Sequence, residues 1–260
     1  MCFRLKQRLQ STTSRIWSCS ALFLILIVWQ LVTWTGLVGE FMLPSPVQVA
    51  RAFADEFGAL MRNAGTTLME AFSGLMIGVA VGFGAAVVMD HCRRLYQAFY
   101  PLIVLTQTVP AIAIAPLLVL WFGYEMTPKI ILIVITTFFP IAVGLLNGFQ
   151  AADPAAVNLL RAMGAGRLQI FRYIKLPGAM GPFFSGLKIS ASYAVVGAVI
   201  SEWLGGFNGL GVYMLRVKKA FSFDKMFAVI FLISAISLLL MWAVERLQKL
   251  CMPWEAFQRK

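Results

Sequence analysis

Long apolar runs dominate this sequence, and they constrain its fold more than any motif does. The hydrophobicity is continuous rather than alternating over about 17–25 residues at a time, the length that a helix needs to cross a bilayer. Hydrophobic residues make up 60% of the 260-residue chain and charged residues only 13%, whereas about a quarter of a soluble domain is charged. The sequence therefore predicts an all-α integral membrane protein.

Six membrane-spanning helices are predicted from these runs. They cover Ser20–Val38, Thr66–Met89, Phe99–Phe122, Ile130–Leu146, Pro182–Leu204 and Met226–Val244. The basic segment 1–19 resembles the start of a signal peptide, but no small-residue cleavage site ends the apolar run that follows it. We therefore interpret 1–19 as a cytoplasmic N-terminus and 20–260 as a single transmembrane domain.

The distribution of Lys and Arg predicts the orientation of the spans. With the N-terminus inside, the inner segments hold 15 basic residues and four acids, and the outer segments hold seven of each. An excess of Lys and Arg marks cytoplasmic loops. This topology places both termini in the cytoplasm, and it accounts for the net charge of +11 without any binding of nucleic acid.

Several packing and pathway features are predicted from Gly and Pro. Gly74, Gly78 and Gly82 recur every four residues, which indicates a close helix–helix seam. Proline bends a membrane helix and frees carbonyl groups, so the prolines inside the third and fourth spans are candidate pathway residues: Pro110, Pro116 and Pro140.

The predicted outer loops also carry structure. Pro46 is suited to open a short amphipathic helix, with an apolar stripe formed by Val47, Ala50, Phe53, Ala54 and Phe57. The Gly-rich, then basic segment Gly205–Lys225 either dips back into the membrane or closes the outer end of a pathway.

Catalytic and metal-binding motifs are missing from the sequence. It contains no nucleotide-binding G-x-x-x-x-G-K-[ST], no H-E-x-x-H and no G-x-S-x-G. The four cysteines show neither metal spacing nor C-x-x-C pairing, and the only histidine, His91, lies in a short inner loop. We expect no enzymatic activity, no metal site and no structural disulfide.

Few ionisable residues fall inside the predicted spans. Glu70, Lys188 and Glu202 lie near span ends, where long side chains are expected to reach the interface. An ion-coupled carrier usually needs a buried acid or a broken-helix ion site. Their absence argues against secondary transport, although a stand-alone carrier and a small channel remain alternatives.

The basic segment 147–181 interrupts the apolar pattern between the fourth and fifth spans. Asp153 suits an N-cap and Pro154 the first helical position, so a short helix is predicted up to Met163. Gly164 is predicted to turn the chain with a positive φ. A second helix is predicted over Arg167–Lys175.

The second predicted helix has an apolar stripe and a basic face. Leu168, Phe171 and Ile174 form the stripe, and Pro177 is expected to end the helix because proline cannot continue the hydrogen-bond ladder. Such an ordered, basic loop is suited to dock a cytoplasmic partner. The alternative is an interfacial helix that lies on anionic lipid.

This loop resembles the EAA loop of permease subunits of ATP-binding cassette (ABC) importers. The family pattern is E-A-A, three residues, Gly, nine residues, Ile, one residue, Leu-Pro. Gly164, Ile174, Leu176 and Pro177 match it at the right spacing. The triplet itself is absent, because Asn158, Leu159 and Leu160 stand in its place.

The resemblance extends from Leu43 to the C-terminus. The segments Pro110–Gly123, Phe138–Phe149 and SEWLGG (Ser201–Gly206) are similar to permeases for nitrate, sulfonates, taurine and pyrimidines. Within this branch, the C-terminal motifs resemble most closely the permeases for thiamine-precursor pyrimidines or riboflavin-like compounds. Sulfonate and taurine permeases come next. Glu202 and Trp203 of SEWLGG join the candidate gate residues.

The resemblance implies a division of labour between subunits. It implies that two permeases pair as a homodimer in the inner membrane, that an extracytoplasmic binding protein delivers the solute, and that separate ATPase subunits bind ATP and Mg²⁺ below. This chain is then expected to bind no cofactor. The residues implied at the ATPase contact are Asp153, Asn158, Arg161, Gly164, Ala165, Ile174, Leu176 and Pro177.

Overall fold

The protein is helical throughout the part of the chain that the structure describes. The computed structural model describes residues 20–21, 23–36, 39 and 42–254, and no strand is assigned among them. The all-α membrane fold predicted from the apolar runs is confirmed.

Eleven labelled helices follow one another along these residues. They are α1 (Phe23–Trp34), α2 (Pro46–Asp55), α3 (Phe57–His91), α4 (Arg93–Thr106), α5 (Ala111–Phe122), α6 (Met126–Gln150), α7 (Pro154–Ala162), α8 (Arg167–Ile170), α9 (Leu176–Gly205), α10 (Leu210–Lys219) and α11 (Phe223–Cys251). One π-helical turn, Phe171–Lys175, joins α8 to α9.

Among the described residues, four helices are long and apolar enough to cross a membrane. They are α3, α6, the continuous helix Arg167–Gly205 and α11, and they contain the second, fourth, fifth and sixth predicted spans. The pair α4 and α5 makes a fifth if it counts as one span. The first predicted span corresponds to the 12-residue helix α1, and its predicted end at Val38 lies outside the described residues. The count of six spans is therefore not confirmed.

The third predicted span is broken rather than merely kinked. Helices α4 and α5 meet at an angle of 97°, so the segment predicted as the third span, Phe99–Phe122, consists of two helices. Pro110 lacks an N–H and disfavours a helical conformation in the residue before it. The hydroxyls of Thr106 and Thr108 donate to the carbonyls of Ile103 and Leu105, at 2.7 and 2.8 Å, and so supply side-chain donors to carbonyls at the break.

The described chain divides into two compact units. The first comprises the described residues up to Leu60 together with Arg216–Phe231. Within it, the indole of Trp29 packs against the rings of Phe227 and Phe231, at centroid distances of 6.0 and 5.8 Å. Its Nε1 donates to the carbonyl of Pro44 at 3.1 Å. Glu56 and Lys225 form an ion pair.

Helix α2 of the first unit begins where the sequence predicted. Ser45 and Gln48 form a reciprocal capping box at the start of the helix, in which each side chain accepts a hydrogen bond from the other residue's backbone amide. Pro46 is the first helical residue. The predicted apolar stripe is not the buried face of this helix, however, because the buried residues are Val49 and Ala52. Valine and alanine have short side chains, so the face of α2 that carries Val49 and Ala52 can pack closely.

The second unit comprises Met61–Leu215 and Leu232–Lys260, of which the structure describes residues up to 254. Here the predicted glycine seam is confirmed as the contact of α3 with α6. A Cβ atom at Gly74 would lie 2.5 Å from Cγ2 of Ile133, and one at Gly78 would collide with Thr137. A Cβ at Gly82 would lie 2.9 Å from the carbonyl oxygen of Phe138.

Helices α6 and α9 also pack backbone to backbone. A Cβ atom at Gly148 would lie 2.5 Å from Cα of Ala179, and one at Gly186 would collide with the carbonyl of Pro140. Ser190 donates a buried hydrogen bond to the carbonyl of Thr137 at 2.6 Å. Small side chains and interhelical hydrogen bonds are the usual source of helix association in lipid.

The two glycines Gly82 and Gly84 test the α3–α6 seam within a single helix. Gly82→Ala should lower the free energy of unfolding by about 1–3 kcal/mol, because the new methyl group overpacks against a backbone carbonyl. Gly84→Ala is the matched control, since no atom lies within 4 Å of its added Cβ. Thermal unfolding in detergent measures both variants, and equal melting temperatures would contradict the seam.

Candidate functional site

Helix α7, in the loop between α6 and α9, is capped at both ends as predicted. Asp153 accepts a hydrogen bond from the amide of Ala155 at 2.9 Å, and Pro154 occupies the first helical position. At the other end Gly164 has φ +84°. The Gly164 amide donates to the Arg161 carbonyl and the Ala165 amide donates to the Leu160 carbonyl, both at 2.9 Å.

Those two hydrogen bonds form a Schellman motif, which fixes the direction in which the chain leaves α7. The next helix, α8, begins after Gly166, whose amide donates to Oε1 of Gln169 at 2.7 Å. The helix–glycine–helix geometry predicted for this loop is therefore confirmed. Its role in contacting an ATPase stays a prediction.

The predicted stop at Pro177 was wrong. The chain stays helical from Arg167 to Gly205, and Pro177 lies in the first turn of α9. The π-helical turn Phe171–Lys175, which contains Ile174, precedes it. A π turn changes the hydrogen-bond register locally, so the missing N–H of proline falls where the α-helical ladder restarts. Ile174, Leu176 and Pro177 are half-buried there.

The loop is fixed to the spanning helices by two contacts that the sequence did not reveal. Lys175 Nζ donates to both carboxylate oxygens of Asp90, at 2.7 and 2.9 Å. Phe171 packs against Phe149 with ring centroids 5.2 Å apart. The ion pair joins residues 85 positions apart, so no local pattern could have predicted it.

The outer surface of the loop is uncovered. Helix α7 has no buried residue in the described structure, and Leu159, Met163 and Leu168 are 63%, 74% and 77% exposed. Asn158 and Arg161 are exposed as well. Leu168 of the predicted stripe is exposed, and Ile170 is the buried residue of α8. We call the residues Asn158, Leu159, Arg161, Met163 and Leu168 the loop surface.

A basic pocket of about 460 Å³ lies between the end of α3 and the loop. Its charged lining consists of Arg161, Arg167, Lys175 and Asp90, with His91 at its edge. Asp90 is already paired with Lys175. The two arginines therefore leave the pocket with an excess of positive charge.

The candidate pathway residues do not form one site. Pro110 lines a pocket of about 260 Å³ at the break between α4 and α5, together with Gln107, Thr136 and Tyr193. Pro116 is exposed within α5, where the helix is not interrupted. Pro140 lies in the seam with Gly186, and Trp203 is partly exposed at the end of α9.

The expectation that Glu70 and Glu202 reach the interface was wrong. Each is only 1% exposed, and Lys129, which the sequence placed in an outer loop, is 6% exposed. Lys129 pairs with Glu70 at 2.6 Å, and Thr67 donates to Glu202 at 2.7 Å. The structure therefore contains buried acids. The argument against secondary transport that relied on their absence no longer holds.

The fold and the loop together define a helical membrane protein of the importer-permease class. The chain matches the family described as "Binding-protein-dependent transport system inner membrane component" over residues 74–251. Because this match covers more than half of the sequence, the chain belongs to that family, the permease subunits of ABC importers. This membership, and not the pattern of charged residues, decides against a stand-alone carrier or channel.

Two curated relatives and one solved structure support this assignment. A probable ABC transporter permease protein of Haemophilus influenzae is 33% identical over 85% of this chain and 90% of its own length. The formylaminopyrimidine transport permease protein ThiX of Halalkalibacterium halodurans is 33% identical over 90% of this chain and 94% of its own length. A chain of the inward-facing MetNI methionine ABC transporter has a TM-score of 0.66 at 20% identity, covering 75% of this chain and 97% of that one.

The Schellman motif of α7 gives a local prediction. Gly164→Ala should speed exchange of the amides at positions 164 and 165 roughly tenfold, because alanine at positive φ costs about 1–2 kcal/mol. Gly166→Ala is the control, since Gly166 has φ −73° and its added Cβ would have only a 3.8 Å contact. Hydrogen–deuterium exchange measures both, and similar exchange in the two variants would rule out this role for Gly164.

Proposed function

We propose that the loop surface docks a cytoplasmic ATPase subunit and transmits its ATP-driven motion to the spanning helices. The observation that carries this proposal is a loop that is rigid yet uncovered. Its helix is capped at both ends, and its base is fixed by the Lys175–Asp90 ion pair. Force applied to α7 would therefore reach α3 and α9 rather than bend the loop.

The chemistry of the loop surface supports a protein partner over lipid. Leu159, Met163 and Leu168 are exposed apolar side chains beside the guanidinium of Arg161. Central apolar anchors with an arginine are typical of protein–protein hot spots. Because Asn158 carries no charge, Arg161 becomes the polar anchor, and it would pair with an acidic group of the ATPase.

The rest of the assembly follows from the same proposal. Two copies of this chain would line the pathway, with both termini and the loop surface in the cytoplasm. ATP and Mg²⁺ would bind only to the two ATPase subunits, and an extracytoplasmic solute-binding protein would deliver the solute from the other side. This chain would then act as a transport subunit with no catalytic residue or cofactor of its own.

Arg161→Glu should weaken binding of the cognate ATPase at least tenfold and abolish ATP-dependent uptake. Truncating or reversing an interface anchor typically costs about 2 kcal/mol or more, and charge reversal adds repulsion. Co-purification and the mass of the complex, expected to hold two copies of each subunit, measure this effect.

Arg94→Glu is the matched control for that experiment. Arg94 is exposed at the start of α4 and lies outside the loop, so the control makes the same change of charge elsewhere. If the two variants retain the ATPase equally well, the loop surface is not the docking site.

For the solute, we propose a small pyrimidine of the thiamine-precursor class. The support is the relative named for formylaminopyrimidine transport, at 33% identity over 90% of this chain. The pocket beside Pro110 has a suitable character for a small ring, with the aromatic side chain of Tyr193 and the polar groups of Gln107 and Thr136 among apolar residues. Largely apolar pockets with a few polar groups are typical of small-molecule sites.

A ligand-melting screen of the cognate solute-binding protein tests this choice of solute. Formylaminopyrimidine should raise its melting temperature most, whereas riboflavin, taurine, an aliphatic sulfonate and nitrate should leave it unchanged. Uptake of the same compound into right-side-out vesicles should require ATP inside. If only riboflavin or only taurine stabilises the binding protein, that compound replaces the pyrimidine as the proposed solute. Uptake without ATP would contradict the importer mechanism itself.

A further inference from the structure

Three ionisable side chains meet inside the second unit, at the end of α9 that is farthest from the loop. Glu70 comes from α3, Lys129 from α6 and Glu202 from α9, and none is more than 6% exposed. We call these three residues the buried cluster. Lys129 Nζ lies 2.6 Å from Oε1 of Glu70.

Glu202 connects the buried cluster to the start of α10. Its Oε2 accepts a hydrogen bond from the amide of Gly211 at 2.6 Å, and its Oε1 accepts one from Thr67 at 2.7 Å. Thr67 in turn accepts from the amide of Leu210 at 2.9 Å. Gly209, at φ +124°, approaches the Glu202 carboxylate so closely that an added Cβ would collide with it.

The charges of the buried cluster do not balance if every group is ionised. The charged groups that act on Glu70 are Lys129 and Glu202, and those that act on Glu202 are Glu70 and Lys129. Helices α3, α6 and α9 thus contribute two carboxylates and one ammonium group, and α10 contributes the backbone amides of Leu210 and Gly211. An unpaired charge buried in a protein is strongly destabilising, so this arrangement needs one more positive charge.

The surroundings of one oxygen atom indicate where the additional positive charge, a proton, is bound. Oε2 of Glu70 is buried and has no hydrogen-bond partner among the described residues. Glu202 is the other buried carboxyl group of the cluster and interacts electrostatically with Glu70. Two ionised carboxylates cannot bond to each other, because both are acceptors only. A proton on one of them supplies the missing donor and neutralises the cluster.

We propose that the buried cluster is a proton-binding site, in which the carboxyl groups of Glu70 and Glu202 together hold one proton taken from solvent. The protonated cluster is neutral and holds the first turn of α10 against α3 and α9. When the proton leaves at alkaline pH, the cluster gains a net negative charge and the two carboxylates repel each other. The attachment of α10 then weakens.

Infrared spectroscopy of the purified protein in lipid detects this proton directly. At neutral pH the wild type should show the C=O stretch of a buried protonated carboxyl group. The signal should disappear in Glu70→Gln and also in Glu202→Gln, because either change leaves a single carboxylate balanced by Lys129. Glu125→Gln is the control, since Glu125 is exposed at the start of α6, and it should keep the signal.

The pH dependence of stability provides a second readout that does not need transport. Between neutral and alkaline pH the melting temperature of the wild type and of Glu125→Gln should fall by more than that of Glu70→Gln, which has no proton to lose. If a glutamine variant fails to fold, loss of the wild-type infrared signal on raising the pH still tests the site. A wild type without the signal, or a signal that persists in a folded Glu70→Gln or Glu202→Gln protein, would overturn the proposal.

Discussion

The close approach of helix backbones is the constraint on which the second unit depends. Apolar side chains gain little by leaving lipid for a protein interior, so association in a membrane relies on packing and on hydrogen bonds between helices. Gly82 on α3, and Gly148 and Gly186 at the contact of α6 with α9, leave no room for a methyl group. Helix α6 is therefore held from two sides, by α3 and by α9, and its position determines where the residues at its two ends lie.

The same packing gives α3 and α9 a shared role. Lys175, just before α9, pairs with Asp90 near the end of α3, and Glu202, near the end of α9, bonds to Thr67 near the start of α3. A helix of 30 residues is about 45 Å long, so the two contacts lie at opposite ends of the same antiparallel pair. A displacement of the loop would thus be carried along α9 to the buried cluster and to α10.

The sequence predicted what depends on neighbouring residues and missed what depends on the tertiary fold. Asp153, Pro154 and Gly164 act on backbone groups a few residues away, so their types and spacing were enough to predict a capped helix and its turn. The regular spacing of glycines in α3 was likewise enough to predict a seam. Pro177 misled the prediction, because a π turn upstream absorbs its effect.

Glu202 and Lys129 are residues whose surroundings could not be predicted from the sequence. Their positions near the ends of apolar runs are compatible with side chains that reach water, and only the fold reveals that α3, α6 and α9 enclose them. The break between α4 and α5 was foreseen as a kink at Pro110, but its 97° angle depends on where the two halves pack.

The π-helical turn Phe171–Lys175 has a geometric consequence for the loop. A π turn accommodates one residue more than an α-helical turn, and each residue of an α-helix advances the chain by about 100° around the axis. The turn therefore sets the rotational phase between the loop surface and α9. An importer of this kind can adjust the direction in which its loop points by one insertion or deletion in this turn, while every packed contact along the membrane-spanning part of α9 stays in register.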